Sequence, residues 1–188
     1  MNLQEKHDQR VLYLYKNMVK SNTLTIEQSD LVQNIQFVDQ LPINTLKVYY
    51  SYDIRFDRVP SKITSLQFTN CPKTNFQGFE QMKQLKILTL NYNSLIKINF
   101  LSVLVNLTYL NISYNDIENV SPIENLIELK QIKLDFNKIS KMTRVSMSES
   151  KSDSVWYIFC DRFGFPFQLQ TTFPKIFWKF YQIFSFLM

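Results

Sequence analysis

The chain has 188 residues, 45% of them hydrophobic, which is enough for one domain with a real core and too apolar for a wholly disordered protein. Its formal net charge of +5 is spread thinly with no basic block, whereas a nucleic-acid binder concentrates Lys and Arg on one face to displace counterions, so no nucleic-acid partner is expected. Two cysteines, Cys71 and Cys160, cannot make a disulfide framework, and their lack of CxxC spacing and histidine neighbours argues against zinc; a reducing compartment fits best.

Residues 1–10 are charged and contain no apolar stretch, so no secretory signal is visible and a cytoplasmic location is expected. Over residues 4–20, Val11, Leu14, Tyr15, Met18 and Val19 recur at helical spacing, with Gln9, Arg10, Lys16 and Lys20 between them. This spacing predicts an amphipathic helix, and residues 1–21 read as a cap over whatever follows. Binding to a membrane surface is the alternative, and Glu5, His7 and Asp8 weigh against it.

A repeat then begins. Leu24, Ile26, Ser29 and Leu31 are matched by Ile43, Leu46, Val48, Ser51 and Phe56, then by Ile63, Leu66, Phe68, Cys71 and Phe76. Three ungapped copies follow at a period of 22 residues: Leu85, Leu88, Leu90, Asn93, Leu95, Ile98; Leu107, Leu110, Ile112, Asn115, Ile117, Val120; and Leu129, Ile132, Leu134, Asn137, Ile139, Met142. Alternation at period two, as in Leu88-Thr89-Leu90, predicts a short strand with its apolar residues on one side. No unit of this size buries that side alone, so the pairs from Leu24/Ile26 to Ile132/Leu134 should stack under one parallel sheet. Asn93, Asn115 and Asn137 fall where the chain leaves the strand, and a buried amide there can bond backbone groups of its own and the neighbouring turn. They read as scaffold. Cys71 shares their position with Ser29 and Ser51 and has no basic neighbour to lower its pKa, which favours a buried structural residue over a reactive thiol.

These residues match the pattern LxxLxLxxNxL, and over residues 22–142 the chain resembles the leucine-rich repeat family, in about six units. Val120, Ser121, Pro122, Ile123, Glu124, Asn125 and Leu126 also resemble the 22-residue subtype of protein phosphatase regulatory subunits and internalins. The resemblance implies an α/β solenoid with short parallel strands on the concave face, turns or short helices on the convex face, and the N-terminal helix as cap. It also implies a protein partner on the concave face, lined by the outward strand residues. Of these, Lys47, Tyr49, Gln67, Thr89, Asn91, Tyr109, Asn111, Lys133 and Asp135 are the candidates, with Ser113 among the outward positions. Just beyond them stand Tyr50, Asn70, Tyr92, Tyr114 and Phe136, a nearly all-aromatic column at one edge. Such rings either stack to stabilise the solenoid or carry binding energy at an interface. Asp53 and Lys73 fall where the pattern has apolar residues, so the second and third units are expected to be irregular.

The pattern stops at Met142. Residues 143–154 are polar and Ser-rich and read as a linker. Residues 155–188 hold both tryptophans and more than half of the phenylalanines, and Phe173, Ile176, Phe177, Phe180, Tyr181, Phe184 and Leu187 form a wide helical stripe. At ~1.5 Å per residue a helix over residues 173–188 falls short of a ~30 Å hydrocarbon core. Three readings remain: the stripe lies in a membrane interface, it covers the open end of the solenoid, or a truncated or shifted reading frame supplied residues with no evolved role. Residues 155–160 have strong β tendency and no charge, an aggregation site if exposed.

The inventory for catalysis is poor. His7 is the single histidine, Gly78 and Gly164 are the only glycines, and Asp116 and Glu118 sit in turns without an arranged partner. Triads, clustered metal sites and Gly-rich phosphate loops therefore lack material, and neither enzymatic activity nor a cofactor is expected. The sequence reads as a protein-interaction scaffold, with a membrane-associated adaptor anchored by residues 155–188 as the alternative.

Overall fold

The computed structural model describes residues 3–27, 36–52, 62–74, 76 and 78–139. Expectations on Ser29, Leu31, Asp53, Phe56, Met142, the linker 143–154 and the aromatic segment 155–188 with Cys160 lie outside the described residues.

Six short strands follow one another in chain order and form one parallel sheet: β1 (Thr23–Glu27), β2 (Thr45–Tyr49), β3 (Ser65–Thr69), β4 (Ile87–Asn91), β5 (Tyr109–Asn111) and β6 (Gln131–Lys133). The registers follow the repeat. Leu24, Leu46, Leu66, Leu88, Leu110 and Ile132 stand opposite one another in successive pairs. All six are fully buried, as are the second members of the pairs. The irregularity expected of the second and third units does not reach their strands: β2 and β3 pair residue for residue. Lys73 is exposed, while Thr74 and Phe79 are buried around it and half-buried Phe76 packs on the core.

Among the described residues, return segments form 3-10 turns at Gln36–Gln40, Phe79–Gln81, Asn99–Val103 and Ser121–Ile123. Each places a buried apolar side chain inward (Val38, Phe79, Leu101 and Ile123), so the core lies between sheet and convex turns. Pro122 sits in the first turn of the last, where its missing N–H has no partner to lose.

Helix α1 (Leu3–Met18) packs on β1, joined to it by a tight turn with Ser21 and Asn22 in the left-handed region. Its inward stripe differs from the expected one. Tyr15 is buried with Val11, Leu12 and Val19 against the core, whereas Leu14 and Met18 are 60% and 47% exposed. A helix covering the end of a solenoid meets a surface one rung wide. The i, i+4, i+8 row of Val11, Tyr15 and Val19 fills that width, which leaves the Leu14–Met18 row outside.

Candidate functional site

Because side chains alternate across a strand, burying one member of every pair turns the next outward. The registers align the outward residues into columns. The central one runs Thr25, Lys47, Gln67, Thr89, Asn111, Lys133, each half-buried between its neighbours. Beside it, Tyr49, Thr69 and Asn91 continue from Glu27, and Ile87, Tyr109 and Gln131 form the opposite margin. Tyr49 is held above the ordinary tyrosine pKa by desolvation first, then by Glu27 and Tyr50. Ser113 departs from its expected outward place. It is 4% exposed, with its hydroxyl donating to Asn111 Oδ1 at 2.9 Å and to Asp135 Oδ2 at 3.1 Å, so Asp135 and Asn111 cover it.

Immediately after the strands the chain turns sharply at Tyr50, Asn70, Tyr92, Tyr114 and Phe136, whose φ values are 52°, 56°, 58°, 57° and 54°. Their N–H groups still donate across the sheet: Tyr50 to Thr69, Asn70 to Asn91, Tyr92 to Ser113, and Tyr114 to Asp135. The left-handed conformation suits Gly and Asn and costs a bulky residue about 1–2 kcal/mol. Four aromatic residues nevertheless occupy it. Tyr92 and Tyr114 stack at 4.2 Å and 13°, and Tyr114 and Phe136 at 4.3 Å and 17°, which offsets part of that cost. The column remains at the surface: Tyr92 is 47%, Tyr114 39% and Phe136 51% exposed.

The Tyr92 phenol is held above its ordinary value of 10.0, chiefly by desolvation, then by its hydrogen bond to Tyr114 and that residue's charge. A folded-state pKa above the unfolded one makes the protonated phenol part of the stable state. Its contribution is complete below pH 10.0 and is lost as pH rises through the elevated value. In an ultraviolet difference titration, Tyr92→Phe should therefore remove a tyrosinate step lying above pH 10.0; loss of a step at or below that pH would show that the two phenols are not coupled.

Beneath the column lies the Asn ladder. Asn115 Oδ1 accepts the N–H groups of Asn93 and Leu95, both at 3.0 Å, while its Nδ2 donates to the carbonyls of Leu90, Ile112 and Ser113. Asn93 takes the Cys71 N–H at 2.7 Å and Asn137 takes that of Ile117 at 3.1 Å. Cys71 is buried in this row, its thiol donating to the Val48 and Thr69 carbonyls and pushed up in pKa mainly by burial, as befits a structural residue.

Two columns border an open cleft of about 400 Å³, lined by Asn70, Tyr92 and Tyr114 on one side, Pro72, Ser94 and Asp116 on the other, and Asn115. From the sequence Asp116 is expected in a turn without an arranged partner. The structure pairs it with Lys138 at 2.7 Å, and this carboxylate lifts the Lys138 pKa. The signal was available, since Asp116 and Lys138 occupy successive repeat positions one residue past Asn115 and Asn137. Among the described residues no group of three or more His, Cys, Asp or Glu side chains converges to hold a metal ion, and no helix is long and apolar enough to cross a membrane.

No family model matches this sequence, and no curated protein matches it. Among solved structures the chain is similar to internalin C2 from Listeria monocytogenes, at 19% identity and a TM-score of 0.50, over 71% of this chain and 75% of that one. Internalin C2 is a leucine-rich repeat protein, and with the six-stranded parallel sheet the likeness establishes the fold as an α/β leucine-rich repeat solenoid.

Proposed function

We propose that this leucine-rich repeat solenoid is a protein-interaction scaffold that engages a partner protein across its concave face. The contact runs from the central column of Lys47, Gln67, Thr89, Asn111 and Lys133 to the aromatic edge of Tyr50, Tyr92, Tyr114 and Phe136, with Tyr49, Asn91, Tyr109 and Asp135 between or beside them. One observation carries the reading: bulky rings stand exposed at backbone positions that Asn or Gly would occupy at lower cost. Strain kept at a surface position points to use of that surface, and exposed aromatics supply much of the energy at protein interfaces. The leucine-rich repeat fold, which binds rather than catalyses in most of its uses, supports the same conclusion. Assignment to the 22-residue subtype, supported by the repeat spacing, and a cytosolic setting, supported by the buried free thiol of Cys71, belong to this proposal.

The test is affinity purification from the native cell with the wild-type chain and with Tyr92→Ala combined with Tyr114→Ala. The double variant should lose the captured partner while its stability stays within ~2 kcal/mol of wild type, the range of substitutions outside the core. A variant that unfolds, or that keeps the partner, defeats the assignment. Anchoring to a membrane through residues 155–188 is the alternative, supported by their aromatic stripe. Co-sedimentation with liposomes, with and without those residues, separates the two.

A further inference from the structure

The aromatic column is interrupted once. Along it the residues read Tyr50, Asn70, Tyr92, Tyr114, Phe136, all with the same left-handed backbone, so the Asn70 side chain stands where its neighbours carry rings. Tyr92 stacks on Tyr114 on one side, and among the described residues it makes no second ring contact; the next residue of the column on its other side is Asn70. Tyr50, two strands from Tyr92, makes its ring contact with Tyr49, at 6.5 Å and 35°, and among the described residues no ring contact joins it to Tyr92. The open cleft reaches this place, with Asn70, Pro72 and Tyr92 among its walls.

We propose that the position above Asn70 is a socket for one aromatic side chain of the partner protein, which stacks on the free face of Tyr92 and completes the column. This rests on the concave-face reading given above and names what its aromatic edge receives. The molecule's own geometry sets the fit. A ring at the 4.2 Å spacing seen between Tyr92 and Tyr114 has room in a gap of two strand spacings, about 9.6 Å at the usual separation of strands. Charge selects among planar groups. Among the described residues Asp116 is the one carboxylate or amine lining the cleft, and Lys138 already neutralises it at 2.7 Å. With that acid already paired, no unpartnered carboxylate there adds to the binding of a guanidinium, whereas a neutral ring uses only Tyr92, the Pro72 ring and the Asn70 amide. Offset stacking of aromatic rings supplies the attraction.

The experiment titrates the full chain with N-acetyl-tryptophanamide and follows the aromatic ring resonances of Tyr92, Tyr114 and Phe136 by nuclear magnetic resonance. N-acetyl-leucinamide and N-acetyl-argininamide are the comparison probes. The tryptophan probe should shift Tyr92 most. Asn70→Tyr should weaken that response by about tenfold or more, because the chain's own ring then fills the socket. The variant should fold, since Tyr occupies the same backbone conformation at positions 50, 92 and 114, and its melting temperature should match or exceed that of wild type. Asn70→Gly, which keeps the backbone geometry and leaves the socket open, should retain the response. An equal response to the leucine or arginine probe, or an unchanged Tyr92 shift in Asn70→Tyr, overturns the socket. If the shift persists at Tyr114 and Phe136 in Asn70→Tyr, the aromatic edge still binds and only the socket falls. If no ring of the column responds in wild type, the edge as a binding surface falls with it.

Discussion

Replacing Leu110 by Ala should lower stability by about 2–5 kcal/mol, the range for truncating a buried leucine. Leu110 has no exposed surface and is held between Leu88 and Ile132 in the registers of β4, β5 and β6. In a stack whose units touch only their neighbours, a cavity at one rung weakens two interfaces at once. The rungs on either side then have less to bury against. At about 2–4 °C per kcal/mol for a chain of this size, the melting temperature should fall by roughly 4–20 °C. Thr89→Ala, at an outward place next to the same column, should change stability by no more than about 0.5 kcal/mol. Equal effects from the two substitutions would show that the inward and outward faces have been exchanged.

The second large loss is expected from Asn115→Ala. That one amide satisfies the N–H groups of Asn93 and Leu95 and donates to three carbonyls, two of them in its own turn and one, that of Leu90, in the preceding unit. Alanine leaves both N–H groups buried without an acceptor, at about 1–3 kcal/mol each. A total of about 2–6 kcal/mol follows, measurable by urea denaturation. Asn115→Asp separates the two halves of the amide, since a carboxylate accepts both N–H groups but donates nothing to the carbonyls. Burial raises the pKa of that carboxyl, so its protonated form is favoured in the folded state. The variant should be least stable at neutral pH and regain stability as pH falls through that raised value, completely by about 4, the unfolded one. Stability close to wild type in Asn115→Ala would mean that the ladder bonds are replaced by water and hold nothing together.

The sheet was legible because its information is one-dimensional. Residues such as Leu88, Leu110 and Ile132 recur at a fixed interval, and a repeat that cannot bury itself has one way to stack. The Asn row was legible for the same reason, as each amide reaches the next rung one period away. Features that depend on shape were harder to see. Nothing local marks Tyr92 or Phe136 as left-handed, since tyrosine and phenylalanine disfavour that conformation; the turn after the strand imposes it. The inward row of α1 depended on the width of the surface it covers, which the spacing of Val11, Leu14 and Tyr15 does not contain. Ser113 follows the strand pattern outward yet is covered, because Asn111 and Asp135 reach across to its hydroxyl. Asn70 looked like one polar exception in a column of rings until the parallel register placed it between two of them.

Stacking of residues one repeat apart, 20 positions from Leu46 to Leu66 and 22 at the other steps, is what every placement above depends on, and distances between methyl groups measure it directly. With leucine and isoleucine methyls labelled, nuclear Overhauser contacts should link Leu88 to Leu110 and Leu110 to Ile132, with none between Leu88 and Ile132, which lie two strand spacings or about 9.6 Å apart. Missing contacts along that row, or strong contacts from those methyls to water, would contradict the solenoid and the binding face built on it.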